Sequence, residues 1–121
     1  MCDPVARQVI SKEALQKTRA RQKLETEISI HRRLKHANIV RFIRSFEDST
    51  NVYLLLECCT GRTLADLLRS RTRLTEMEVA GLLKQTIAAI KYLHDQRIIH
   101  RDLKLSNLFL DKDGQIKVSC F

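Results

Sequence analysis

The chain has 121 residues, 44% hydrophobic and 30% charged, with one proline and three glycines, which suits one small domain and excludes a low-complexity or disordered chain. Its net charge of +8 is read as a basic solvated surface rather than a nucleic-acid site: Glu13, Glu25 and Glu27 interrupt the Lys and Arg cluster between Lys12 and Lys35, and four Phe and two Tyr leave little to stack on bases. No apolar run approaches a membrane span, the start MCDPVARQVI lacks a secretory signal, and Cys2, Cys58, Cys59 and Cys120 form no C-x-x-C pair, which excludes a zinc ribbon.

Residues 5–11 read as a strand from their β-branched content. A polar helix is predicted over 13–34, with positions 24, 28, 31 and 35 on one face. Residues 39–46 alternate and read as a strand, 47–51 as a polar turn, and 52–57 as a continuous apolar strand. Cys58 and Cys59 are placed on that strand, where neighbours face opposite sides and do not bridge, so reduced cysteines in an intracellular protein are expected. Thr63 caps a short helix over 63–69. The Thr75-x-x-Glu78 capping box opens a long one, whose Val79, Leu82, Leu83, Thr86, Ile87, Ile90 and Leu93 are expected to be core. A loop over 97–107 leads into a hairpin made from 108–110 and 115–118 around Asp111-Lys112-Asp113-Gly114.

The loop carries His100-Arg101-Asp102-Leu103-Lys104-Leu105-Ser106-Asn107, which reads H-R-D-L-K-x-x-N. Phosphoryl transfer needs a carboxylate to orient a hydroxyl, a cation near the moving phosphoryl group and an oxygen ligand for magnesium. Asp102, Lys104 and Asn107 have those chemistries in that order. Taken singly, each is better read as part of a charged surface loop, with His100 packed in the core. Together, after a long amphipathic helix and before a hairpin, they point to a catalytic loop.

On these residues the chain resembles a eukaryotic protein kinase domain, and is most similar to the polo-like serine/threonine kinases. EISIHRRLKHANIVRF, FEDSTNVYLLLECC, LTEMEVAGLLKQTIAAIKYLH and HRDLKLSNLFL carry the likeness, which runs from about Val5 to Phe121. The resemblance implies an α+β, partial bilobal kinase fold over 1–121: an incomplete small-lobe sheet with its long helix, then the first part of the helical lobe. It implies transfer of the ATP γ-phosphate to protein Ser or Thr, with Mg2+. Asp102, Lys104 and Asn107 would be catalytic, and Asn107 would also bind the metal. Glu27 would pair with the strand lysine, Leu56 would be the gatekeeper, Glu57 and Cys59 would lie on the adenine-binding hinge, and Phe109 would sit under the adenine. His31, Phe42, His100 and Phe121 would form the stacked spine. Protein substrates, a regulatory protein partner and a place in the cytoplasm or nucleus, at centrosomes and spindles, go with the same likeness.

Four departures are expected to matter. The glycine-rich phosphate loop is absent before the first strand. Gln8 stands where the strand lysine belongs, nineteen residues before Glu27, and Arg7 points to the opposite face. Cys120 stands where the D-F-G aspartate belongs, and sulfur is a poor magnesium ligand. The activation segment and later helices do not follow, so part of the apolar stripe on the long helix is expected to stay exposed. We therefore expect turnover near zero from these residues alone, and keep open a non-catalytic interaction fragment that binds a kinase or its regulator.

Overall fold

The computed structural model describes residues 5–120. Cys2 and the expected spine residue Phe121 lie outside them. The element order is β1 (Val5–Ser11), α1 (Thr18–Arg33), β2 (Phe42–Glu47), β3 (Asn51–Glu57), α2 (Leu64–Arg71), α3 (Glu76–Asp95), a 3-10 turn (Leu105–Asn107), β4 (Leu108–Leu110) and β5 (Ile116–Val118). The class is the expected α+β. Two compact units form: one from the residues up to 35 and from 41–58, the other from 36–40 and 59–120.

In the first unit the strands order as β1-β3-β2, all antiparallel, with Val5 opposite Glu57 and Ser11 opposite Asn51. Leu24 of α1 packs with Phe42, Val52 and Leu54 of the sheet, and Ile10, Leu15, Ile28 and Leu56 close the edges of this core. The β2–β3 turn is built on Asp48. Its Oδ1 accepts the amide protons of Thr50 (2.8 Å) and Asn51 (2.7 Å), and its Oδ2 accepts the Tyr53 hydroxyl (2.7 Å). The Tyr53 hydroxyl, then the two amides, hold this carboxyl far below the usual range.

Four expectations need correction here. Helix α1 begins at Thr18 rather than residue 13: Ser11 Oγ accepts the Glu13 amide (3.2 Å), the Leu15 amide bonds to Lys12 O (3.1 Å), and the chain turns before it coils. The face placed at 24, 28, 31 and 35 is buried at Leu24 and His31, but Lys35 falls past the helix end and is exposed, and the buried C-cap Leu34 takes its place. Strand β2 starts at Phe42, because Ile39 and Val40 pair elsewhere, and Cys58 and Cys59 follow the last residue of β3.

In the second unit, Thr63 and Thr75 each accept the amide three residues on, from Asp66 and Glu78. Those carboxylates return the bond to the cap amides, so both helices open with full capping boxes. In the hairpin Leu108 lies opposite Val118 and Leu110 opposite Ile116. Its turn closes on Asp111 Oδ1, which accepts the amides of Asp113 and Gln115 (both 2.9 Å), with Gly114 at φ 77. Ile39 runs parallel to β5: Val40 N bonds to Val118 O (3.0 Å) and Val118 N to Asn38 O (2.8 Å). Gly61 donates to Leu110 O (2.9 Å), and a Cβ there would come within 2.6 Å of Asp111 O, so only glycine fits.

Helix α3 buries a narrower face than its apolar stripe predicts. Thr86, Ala89 and Leu93 are buried, but Val79 is 46%, Leu83 54% and Ile87 58% exposed. The stripe is wider than the surface that the hairpin and α2 offer it.

Three outcomes follow. Leu54→Ala, at a fully buried position, should cost about 2–5 kcal/mol in denaturant unfolding, and Thr75→Ala about 1 kcal/mol through loss of the α3 cap. The Arg71 guanidinium, then the Thr75 amide, lower the Glu78 carboxyl from 4.5 to about 2. A depressed carboxyl stabilises the fold above its unfolded value, so this contribution is full above pH 4.5 and lost as pH falls through 2. Glu78→Gln should flatten that part of the stability curve, read by circular dichroism.

Candidate active site

After α3 the chain must reverse to reach the hairpin. Ile98 N bonds back to Leu93 O (2.8 Å), and Arg97 (φ 62) and Arg101 (φ 70) take left-handed backbone that side chains rarely adopt. The second of these turns places Asp102 beside the half-buried His100. The His100 Nδ1 accepts the Asp102 amide proton (3.2 Å), so the ring proton sits on Nε2, which donates to Ser119 O. Ser119 N in turn donates to Asn107 O (3.0 Å), and Asn107 N to Lys104 O (2.9 Å).

The side chains of the loop converge on one carboxylate. Asn107 Nδ2 donates to Asp102 O (2.7 Å) and to Asp102 Oδ2 (3.1 Å), and Lys104 Nζ lies 3.6 Å from the same Oδ2. Both amide protons of Asn107 are thereby directed at Asp102, and its Oδ1 is left as an acceptor. Asp102 Oδ1 accepts nothing from the described residues. The Asp102 side chain is 68% exposed and that of Lys104 57%, so the group is open to a substrate. One carboxylate oxygen is anchored and the other can take a hydroxyl proton, beside a mobile cation and a neutral hard oxygen.

Magnesium needs hard donors in near-octahedral array. Asn107 Oδ1 qualifies. Cys120, at the aspartate position of the pattern, does not: burial pushes its thiol up to about 11, so the sulfur is soft and protonated at neutral pH. Among the described residues no three His, Cys, Asp or Glu gather as ligands. The residues present do not fit a two-ligand magnesium site.

The other predicted residues lie on several elements. Glu27, on α1, is half-buried and makes no ion pair among the described residues; Gln8, exposed on β1, makes no side-chain hydrogen bond among them and lies opposite Leu54. Leu56 on β3 lies opposite Ala6 and Phe42. The Glu57 carboxylate accepts the Arg41 amide (3.1 Å), and its own amide donates to Arg41 O (2.9 Å). His31 and Phe42 meet with ring centroids 5.7 Å apart. In the second unit Cys59 is half-buried and Phe109 lies opposite Lys117 and bridges Thr63.

Sequence reading missed three supports of the loop. The backbone of Ser119 carries no side-chain signal. Asn38 and Gln85 clamp β5: Gln85 Oε1 accepts the Ile116 amide (2.8 Å) and Asn38 Nδ2 (3.2 Å), while Asn38 Nδ2 also reaches Ile116 O (3.0 Å). A polar residue part-buried within an apolar helix was the available sign for Gln85.

The family model of the protein kinase domain matches residues 2–121. The serine/threonine-protein kinase polo of Drosophila melanogaster is 45% identical over 98% of this chain and 21% of its own length. A cell cycle serine/threonine-protein kinase of Saccharomyces cerevisiae is 46% identical over 96% of the chain and 16% of its own length. An inactive serine/threonine-protein kinase, PLK5, of Mus musculus is 44% identical over 93% and 19%. The chain thus spans about a fifth of the length of these curated relatives. Its first sheet with α1 corresponds to part of a kinase small lobe, and α2 to β5 to the start of the helical lobe. The chain belongs to the protein kinase domain family, and its relatives include polo-like serine/threonine kinases.

Proposed function

We propose that this chain is part of a polo-like serine/threonine protein kinase, with the γ-phosphate of ATP as the group transferred and a protein Ser or Thr hydroxyl as its acceptor. The observation that carries the reading is the hydrogen-bonded convergence of Asn107 and Lys104 on Asp102. Asp102 Oδ1 accepts the substrate hydroxyl and takes its proton late in the transfer. Lys104 releases its long contact with Oδ2 and neutralises charge on the phosphoryl group. Asn107 holds the carboxylate in place from the far side. The hinge and adenine roles of Leu56, Glu57, Cys59 and Phe109 and the pairing role of Glu27 belong to this reading. So do protein substrates, a regulatory protein partner, and a setting in the cytoplasm or nucleus at centrosomes and spindles. None of the described helices is long and apolar enough to cross a membrane.

Transfer by this chain is impaired in the same reading. Gln8 supplies no charge to the phosphates or to Glu27, and the protonated thiol of Cys120 supplies none to a metal. Those two positions favour the second reading, a non-catalytic fragment that binds a kinase or its regulator. One relative, 44% identical to the chain over 113 aligned residues, is itself described as inactive.

Radiolabelled phosphate transfer from ATP to a generic protein substrate separates the two. The chain itself should stay at background. Gln8→Lys combined with Cys120→Asp should raise transfer by about a hundredfold, and adding Asp102→Asn should abolish the gain. Transfer that stays at background in the double variant, while partner capture from the same preparation persists in Asp102→Asn, would instead support the non-catalytic reading.

A further inference from the structure

The sheet of the first unit has two unlike faces. Val52, Leu54 and Leu56 lie on the side of β3 that packs with Leu24 of α1, so the alternate residues Tyr53 and Leu55 lie on the other side. Strand register extends that outer side across all three strands. Leu55 stands between Arg7 and Arg44, and Tyr53 stands between Val9 and Phe46. One row thus has an arginine at each end, and the next is apolar and aromatic. Arg7, Val9, Arg44 and Phe46 are exposed.

The side chains of the two rows are stacked. The rings of Phe46 and Tyr53 lie with centroids 5.0 Å apart and planes 19° from parallel. The Arg44 guanidinium sits 5.5 Å from the centroid of Phe46, and that of Arg7 sits 5.8 Å from the centroid of Tyr53. Each ring is covered by the other ring and by a guanidinium, which leaves little bare ring for a nucleobase to stack on. A guanidinium lying on a ring is held in orientation while its N–H edge stays open, and that edge matches a carboxylate bidentately. Neither Arg7 nor Arg44 enters an ion pair among the described residues. Two strand spacings set them about 10 Å apart. This face is unlike one that the same fold goes on to bury, because burying two uncompensated guanidiniums is costly. Arginine beside aromatic rings is instead the composition of surfaces that partner proteins cover.

We propose that this outer face of the sheet binds an extended acidic segment of another protein, with one carboxylate on Arg7, one on Arg44, and an apolar side chain between them over Leu55 and Val9. The net charge of +8 draws such a segment toward the chain. Binding here is independent of phosphoryl transfer, since none of these residues belongs to the loop around Asp102.

Fluorescence anisotropy of a labelled peptide of repeated Glu-Glu-Leu-Leu, titrated with the purified chain, provides the test. In an extended peptide this repeat sets carboxylates on one side about 13 Å apart with a leucine between them, within reach of both arginines. Saturable binding below about 100 μM chain is expected, and none with the Gln-Gln-Leu-Leu counterpart. Arg7→Gln with Arg44→Gln should weaken binding by about tenfold or more. Arg19→Gln with Arg33→Gln removes as much charge from exposed positions on α1 and should change it by less than about twofold. Arg7→Lys with Arg44→Lys keeps the charge but loses the stacked fork, and should weaken binding as well. Circular dichroism checks that each variant is folded, as expected for exposed positions. Absent binding, an equal loss in the α1 pair, no loss in the lysine pair, or tighter binding of a single-stranded DNA oligonucleotide than of the peptide would each overturn the proposal.

Discussion

The imidazole of His100 receives the Asp102 amide proton on one side and gives its own proton to Ser119 on the other. The rest of the loop from His100 to Asn107 hangs from this bridge. It fixes the peptide of Asp102 in a reversal that Arg101 makes at the cost of left-handed backbone. It also fixes the residue just before Cys120. Because Ser119 bonds back to Asn107, and Asn107 to Asp102, the ring closes on itself. Neutral imidazole suits the place, since one nitrogen must accept while the other donates. The hairpin that delivers Ser119 is held in its turn by Gln85 and Asn38, so a helix, a loop and a parallel bridge all bear on one carboxylate.

Phosphoryl transfer divides between handling a proton and handling charge. The first needs a carboxylate with one oxygen fixed and one open, and Asp102 has that form. The second needs cations and hard ligands around a group bearing several negative charges. Here the chain is uneven. Lys104 remains, but Gln8 is neutral and Cys120 holds its proton. The surplus of positive charge elsewhere does not substitute, because exposed lysines and arginines spread over a surface fix no phosphate in place.

The sequence was legible where local physics is strong. Strand β1 falls at the predicted residues, because a β-branched run fits a pleat and no competing signal interrupts it. Thr63 and Thr75 announce α2 and α3 through reciprocal bonds that need no tertiary context. The loop from His100 to Asn107 was readable because its functional groups are contiguous. Where tertiary structure decides, the reading failed. Ile39 and Val40 look like the start of β2, yet they bind β5, and periodicity does not say which strand an apolar pair joins. The stripe of α3 predicts a buried face but not its width: Ala89 is buried and Leu83 is not. The part played by Ser119 rests on backbone atoms that every residue has.

The account holds that this chain keeps an ordered proton acceptor but lacks the ligands that couple nucleotide to magnesium. Calorimetric titration of ATP into the chain, with and without millimolar Mg2+, tests this most directly. The account predicts weak binding that magnesium leaves unchanged within about twofold. An affinity that rises by about tenfold or more when magnesium is added would contradict it.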